Sequence, residues 1–84
     1  MAELKLELLL FADMAQACGT DRLAFTCPRG TTVEALLTTV IDAHPALAPR
    51  RDALAIAVNE CYVDRTHQLQ DGDTVALIPP VSGG

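Results

Sequence analysis

One long amphipathic segment constrains the fold of this chain more than any other feature. Thr31-Thr32-Val33-Glu34 has the pattern of a capping box, in which we expect the Thr31 hydroxyl to accept a hydrogen bond from the Glu34 amide. Apolar residues then recur at helical spacing, at Val33, Leu36, Leu37, Val40 and Ile41. This pattern predicts a helix with one buried face that ends near residues 43–44, because Pro45 disfavours helical geometry in the residue before it.

Short runs with period-two alternation surround this helix and predict strands at 4–11, 23–27, 54–58, 61–63 and 74–78. The first strand becomes apolar on both faces at its end, so we expect both faces of the sheet to be covered there. We also predict a helical turn at 13–18 that stops at Gly19, a solvated loop at 45–52, and turns at 59–60 and 71–73.

One apolar helix face and one half-apolar sheet predict a two-layer α+β domain. The order of elements fits the β-grasp, or ubiquitin-like, arrangement: a mixed sheet with its first and last strands parallel in the middle and the helix across one face. With 84 residues the chain has room for one domain, which we assign to residues 1–78, followed by an extended tail at 79–84.

Composition excludes several classes of function. A net charge of −5 argues against binding to nucleic-acid phosphates and favours a partner with a basic docking face. No apolar run approaches a membrane span, and the acidic start does not resemble a signal peptide. Three widely spaced cysteines do not form a disulfide framework, so we expect a reducing cytoplasm, with each cysteine buried as a small apolar residue.

Catalytic and metal-binding patterns are weak. His44 and His67 lack the local spacing to cysteines that structural zinc sites have, so we predict no metal site and assign His44 to capping the helix end. Asp71 and Asp73 are explained by their turn, and no nucleophile–base pair is evident. We therefore do not expect the domain to be an enzyme by itself.

The end of the chain is its most distinctive segment. Pro79 and Pro80 lack amide donors, so the chain should leave the sheet in an extended form and then loosen at Gly83-Gly84. The alternative is an unstructured end or a tag remnant. The direct attachment to the apolar run 74–78, without a polar spacer, favours a functional tail whose terminal carboxylate enters a partner's pocket.

The chain resembles the small subunits of molybdopterin synthase, a family of ubiquitin-like sulfur carriers. The resemblance spans nearly the whole chain and rests on these segments: Leu10-Phe11-Ala12, Gly19-Thr20-Asp21, Thr32-Val33-Glu34-Ala35-Leu36, Ala57-Val58-Asn59, Asp71-Gly72-Asp73, Val75-Ala76 and Pro79-Pro80-Val81-Ser82-Gly83-Gly84. The ending is the most specific part. The chain departs from the family at Ala15 and Gln16, where an Arg-Glu pair is frequent, and at positions 77–78, where aromatics are frequent.

The resemblance implies that Gly84 is adenylated and then thiocarboxylated, and that it donates sulfur to cyclic pyranopterin monophosphate to form the molybdopterin dithiolene. It implies that the tail enters a partner's channel through Pro79, Pro80, Val81, Ser82 and Gly83. The docking patch that follows from it consists of Leu77, Ile78 and Phe11, although alternation buries one of Leu77 and Ile78.

The resemblance also implies the partners. These are the large subunit of molybdopterin synthase, in a heterotetramer of two small and two large subunits, a ubiquitin-activating-type adenylyltransferase and a sulfur donor system. The domain itself binds no cofactor, since ATP is used by the activating partner.

Two alternatives remain open. One is a sulfur carrier for thiamine, tRNA thiolation or cysteine synthesis, which would share the tail and differ in its acceptor. The other is a ubiquitin-like interaction module with an unreactive tail, which would tolerate an extra residue after Gly84.

Overall fold

The computed structural model describes residues 3–79 of the chain. Its elements are, in order, β1 (Glu3–Leu10), α1 (Ala12–Cys18), β2 (Arg22–Pro28), α2 (Val33–Ala43), a 3-10 segment (Pro45–Ala53), β3 (Ala55–Val58), β4 (Cys61–Val63) and β5 (Thr74–Ile78). All five predicted strands and both predicted helices are present. The tail residues Pro80–Gly84 lie outside the described residues, so the division into a domain and a tail stays a prediction.

The five strands form one mixed sheet in the order β2-β1-β5-β3-β4. β1 and β5 are parallel neighbours at its centre, with Leu8 beside Val75 and Leu10 beside Leu77. The other pairs are antiparallel. The predicted β-grasp arrangement, including its central parallel pair, is therefore confirmed.

Helix α2 covers one face of this sheet and completes the core. The core residues are apolar and at most 6 % exposed, and those from β1, α2, β3 and β5 are Leu4, Leu6, Leu8, Leu10, Val33, Leu36, Leu37, Val40, Ile56, Val58, Val75 and Leu77. Alternation along the strands and helical spacing along α2 predict this set. No helix within residues 3–79 is long and apolar enough to cross a membrane.

The predicted capping box is wrong by one residue. Thr32, not Thr31, caps α2, and its Oγ1 accepts a hydrogen bond from the Ala35 amide at 3.2 Å. The Glu34 amide instead donates to the carbonyl of Arg65 at 3.0 Å. Because a distant segment satisfies the first-turn amides, the threonine that caps the helix lies one position later than the local pattern indicates.

The predicted solvated loop at 45–52 is a 3-10 segment. Pro45 suits its first turn, where no amide donor is needed, and Leu47 packs into the core. Arg51 forms an ion pair with Glu34 and donates to Thr38 Oγ1 at 3.2 Å, so this side chain ties the segment to α2. His44 is the C-cap residue of α2, where its backbone amide donates to the Val40 carbonyl at 2.8 Å.

The turn before β5 is bound to β1 and sets the start of the last strand. Asp71 Oδ1 accepts from the Lys5 amide at 2.8 Å, and the Gly72 amide donates to the Lys5 carbonyl at 2.8 Å. Gly72 has φ of 87°, which favours glycine. Asp73 Oδ2 accepts from the Gln70 amide at 2.8 Å and closes the turn.

We predict that Leu8→Ala lowers the free energy of unfolding by about 2–5 kcal/mol, since Leu8 is fully buried at the centre of the sheet. Urea unfolding measures the loss. Leu9→Ala is the matched control, because its half-buried side chain lies on the opposite face and contributes less to the core. Equal losses in the two variants would contradict the assignment of the faces.

Candidate docking face and tail exit

The face of the sheet opposite α2 carries an apolar patch near the end of β5. We define the apolar patch as Leu9, Phe11, Ala57, Tyr62, Ala76 and Ile78. Phe11 is 44 % exposed and Tyr62 is 73 % exposed, and they are large apolar side chains left at the surface of the described chain. Exposed apolar groups that gather in one place are typical of a surface that binds a partner.

Strand register brings the patch residues together from four strands. Leu9 of β1 lies beside Ala76 of β5, Ala76 lies beside Ala57 of β3, and Ala57 lies beside Tyr62 of β4. The alanines between two larger side chains leave a shallow depression. A groove at this place is lined by Leu9, Phe11, Asn59, Glu60, Thr74 and Ala76.

Charged side chains border the patch on its β2 side. Glu7, two residues before Leu9 in β1, and Arg22, which lies beside Leu9 in β2, form an ion pair of 3.2 Å that is open to solvent. An exposed pair of this kind contributes about 0–1 kcal/mol to stability. The face thus carries an apolar patch with a charged pair along its β2 side.

The last described residues of the chain, Ile78 and Pro79, lie at the apolar patch. Ile78 closes β5 beside Ala55, and Pro79 follows it. Because the five residues 80–84 can span at most about 17 Å, a protein that holds Gly84 must come close to this patch.

The predicted docking residues are divided by the structure. Phe11 and Ile78 lie on the patch side, whereas Leu77 is 1 % exposed and belongs to the core. The prediction that Leu77 contacts a partner is wrong, because alternation along β5 turns it toward Leu10 and Ile56 on the α2 side. Pro79 is half-buried, and the predicted site residues Pro80, Val81, Ser82, Gly83 and Gly84 lie outside the described range.

Four patch residues are absent from our sequence-based prediction: Leu9, Ala57, Tyr62 and Ala76. Two of them could have been found from the sequence. Leu9 is two residues from Phe11 and Ala76 is two residues from Ile78, so alternation places each pair on the same face of the sheet. The expectation that both faces are covered at the end of β1 holds on the α2 side only. On the other side, Leu9 stays half-buried and Phe11 exposed in the described chain.

The cysteines do not offer a buried reactive thiolate. Burial raises the pKa of the Cys18 and Cys27 thiols, so both favour the protonated, weakly nucleophilic form. The expectation of three buried cysteines holds for Cys27 only. Cys18 is half-buried, and Cys61 is exposed because it lies on the short edge strand β4. Within residues 3–79, no group of three or more His, Cys, Asp or Glu side chains is arranged to hold a metal ion.

Comparison with known proteins finds relatives over nearly the full length of the chain. The ThiS family model matches residues 8–84. The chain is 37 % identical to the molybdopterin synthase sulfur carrier subunit of Chlamydomonas reinhardtii, covering 96 % of this chain and 100 % of that protein. It is 40 % identical to the protein of the same name from Escherichia coli strain K12, covering 94 % and 99 %.

Solved structures share the fold. The chain superposes on the putative molybdopterin converting factor subunit 1 of Pyrococcus furiosus with a TM-score of 0.85 and 30 % identity, over 93 % of this chain and 99 % of that one. It matches SAMP1 of Haloferax volcanii with a TM-score of 0.86 and 32 % identity, over 95 % and 99 %.

A chain in the complex of subunits 1 and 2 of the Helicobacter pylori molybdopterin-converting factor also has this fold. Its TM-score is 0.69 at 23 % identity, over 96 % of this chain and 100 % of that one. The family model covers the chain from residue 8 to Gly84, and each of the two curated relatives covers more than nine-tenths of it. The chain belongs to the ThiS family and to the molybdopterin synthase sulfur carrier subunits.

Proposed function

We propose that the chain carries sulfur as a thiocarboxylate on Gly84 and delivers it to the precursor of molybdopterin, cyclic pyranopterin monophosphate. The observation that carries the proposal is the apolar patch at the end of β5, immediately before the diglycine ending. A carrier needs a surface that partners recognise and a reactive end slim enough to enter their active sites. This chain has both features within a few residues of each other.

The chemistry follows from the poor reactivity of a carboxylate. Transfer of AMP from ATP to the Gly84 carboxylate makes a mixed anhydride and releases pyrophosphate. A sulfur nucleophile at the oxidation level of sulfide then attacks the carbonyl carbon, and the C–O bond breaks as the electron pair leaves with AMP. We assign ATP to a ubiquitin-activating-type adenylyltransferase, and the sulfur to a separate donor system, rather than to this domain.

The residues before Gly84 fit a tail that enters a narrow channel. Gly83 lacks a Cβ, so the walls of a channel can approach the backbone closely. Pro79 and Pro80 restrict the backbone at the exit from β5 and thus limit the entropy lost when the tail is held. Val81 and Ser82 link the two parts. We propose these roles from sequence chemistry.

We propose that the acceptor of sulfur is the large subunit of molybdopterin synthase, bound at the apolar patch, in an assembly of two small and two large subunits. The name of the Helicobacter pylori complex, of subunits 1 and 2 of a molybdopterin-converting factor, supports a pairing of this type. The thiocarboxylate sulfur bonds to a carbon of the precursor and displaces an oxygen from it, which gives a thioester to Gly84. Water then cleaves the thioester C–S bond at the Gly84 carbonyl, so the sulfur stays on the precursor and Gly84 leaves as a carboxylate. Two carriers are used for each dithiolene.

In this proposal the large subunit supplies the catalytic groups and the carrier supplies the reacting sulfur. The raised thiol pKa values of Cys18 and Cys27 agree with a carrier whose sulfur is held at its end rather than on a cysteine. We place the cycle in a reducing cytoplasm, because a thiocarboxylate is easily oxidised.

Delivery to thiamine, tRNA or cysteine synthesis remains the main alternative, since membership of the ThiS family does not specify an acceptor. The two curated relatives favour molybdopterin synthase. Incubation of the loaded carrier with each candidate acceptor protein separates these possibilities, because sulfur leaves Gly84 only with the correct one.

We predict that one alanine appended after Gly84 abolishes sulfur transfer completely, because the reacting carboxylate is moved and the channel must hold a Cβ. Product formation in a reconstituted system of activating enzyme, ATP, sulfur donor and large subunit measures the effect. An alanine inserted before Glu3, at the other end of the chain, is the control. Full activity of the extended tail would favour an unreactive interaction module.

We predict that Tyr62→Ala weakens binding to the large subunit about 30-fold, a typical effect for a buried interface aromatic. The variant should fold normally, since Tyr62 is 73 % exposed. Isothermal titration calorimetry measures the dissociation constant. Thr26→Ala is the matched control, because Thr26 is exposed on the same face but lies beside Lys5, away from the apolar patch. Equal affinities in the two variants would place the interface elsewhere.

A further inference from the structure

The turn between β3 and β4 holds two consecutive residues in the left-handed region. Asn59 has φ of 51° and Glu60 has φ of 74°. Two-residue hairpin turns favour Asn-Gly at such positions, because a side chain with a Cβ is disfavoured at positive φ. Asparagine tolerates this region, whereas glutamate rarely adopts it.

The cost of the left-handed backbone at Asn59 is offset by the hydrogen bonds that this residue makes. Its Nδ2 donates to Asp73 Oδ1 at 2.9 Å, and its Oδ1 accepts from the Thr74 amide at 3.0 Å. Its own amide donates to the Thr74 carbonyl at 2.8 Å. These contacts join the β3–β4 turn to the start of β5, so the left-handed geometry of Asn59 has a structural reason.

Glu60 has no such compensation. Its side chain is exposed, and within residues 3–79 neither a hydrogen bond nor an ion pair holds its carboxylate. A glycine at this place would relieve the backbone and leave every contact of Asn59 intact. The folded domain therefore does not explain a glutamate here.

The position of Glu60 indicates a reason for a glutamate in this turn. It lines the groove in the apolar patch together with Leu9, Phe11 and Ala76. An exposed carboxylate thus stands beside apolar side chains, next to the start of β5 and at the opposite end of that strand from Ile78. Backbone strain that persists next to a binding surface indicates a role in binding.

We propose that Glu60 is a specificity residue for docking, whose carboxylate pairs with an arginine or lysine of the large subunit beside the apolar patch. This inference rests on the proposed function. The net charge of −5 favours a basic partner surface, and a charge at the rim of an apolar contact rejects partners that lack the matching cation. The short reach of the tail requires this partner to lie against the same surface.

Two variants separate the charge from the strain. Glu60→Gln keeps the side chain and backbone strain but removes the charge. We expect it to weaken binding to the large subunit about tenfold and to flatten the dependence of affinity on salt, with little change in Tm. Glu60→Gly removes both the charge and the backbone strain. We expect it to bind as weakly as Glu60→Gln, with a Tm about 4 °C higher than that of the wild type.

Asp42→Asn is the matched control. It changes the net charge by the same amount but lies exposed on α2, on the other side of the sheet. Affinity is measured by calorimetry at several salt concentrations, and Tm by thermal unfolding of the free carrier. The inference predicts wild-type affinity for this control.

Several results would overturn the inference. Unchanged affinity of Glu60→Gln, or an equal loss in Asp42→Asn, removes the specific pairing. A defect seen only with the activating enzyme assigns Glu60 to a different partner and contradicts the proposal. A lower Tm for Glu60→Gly contradicts the argument from strain. Failure of the wild-type carrier to accept sulfur or to bind the large subunit is distinguishable, because it rejects the proposed function before any variant is compared.

Discussion

The structure depends on the parallel pairing of the first and last strands at the centre of the sheet. This pairing buries the leucines of β1 under α2 together with Val75 and Leu77 of β5. It also fixes where the chain leaves the domain, because β5 must end beside the end of β1. The same contact that builds the core therefore brings Ile78, the last residue of β5, to the end of β1, where Phe11 follows.

The two faces of the sheet serve different needs. The face toward α2 is closed by side chains from the helix and from four of the strands and supplies the hydrophobic stabilisation of the fold. The opposite face keeps an apolar patch whose residues, apart from the buried Ala57, are half-buried or exposed in the described chain. A surface of that kind is unfavourable in water, and covering it on a partner provides binding energy for a carrier that must dock and leave repeatedly.

Much of this fold is predictable from sequence because its signals are local. Alternation in residues 4–10 and helical spacing from Val33 to Val40 identify the buried residues, and Gly19 ends α1 as expected. The failures involve distant contacts. The amides at the start of α2 donate hydrogen bonds to the carbonyls of Arg65 and His67, and Arg51 pairs with a side chain of α2. Because these partners are distant in sequence, local sequence patterns predict neither the helix cap nor the 3-10 segment. Tyr62 and Ala57 join the patch only through strand order, which the sequence does not state.

The central claim is that Gly84 carries sulfur as a thiocarboxylate. The most direct measurement incubates the carrier with its adenylyltransferase, ATP and an isotopically labelled sulfur donor, and then maps the label by fragmentation mass spectrometry. Alkylation distinguishes a thiocarboxylate from an oxidised side chain, since only the former gains the alkyl group at the last residue. The account predicts one labelled sulfur on Gly84, dependent on ATP. Label on Cys61 alone, or no label with an active adenylyltransferase, would contradict it.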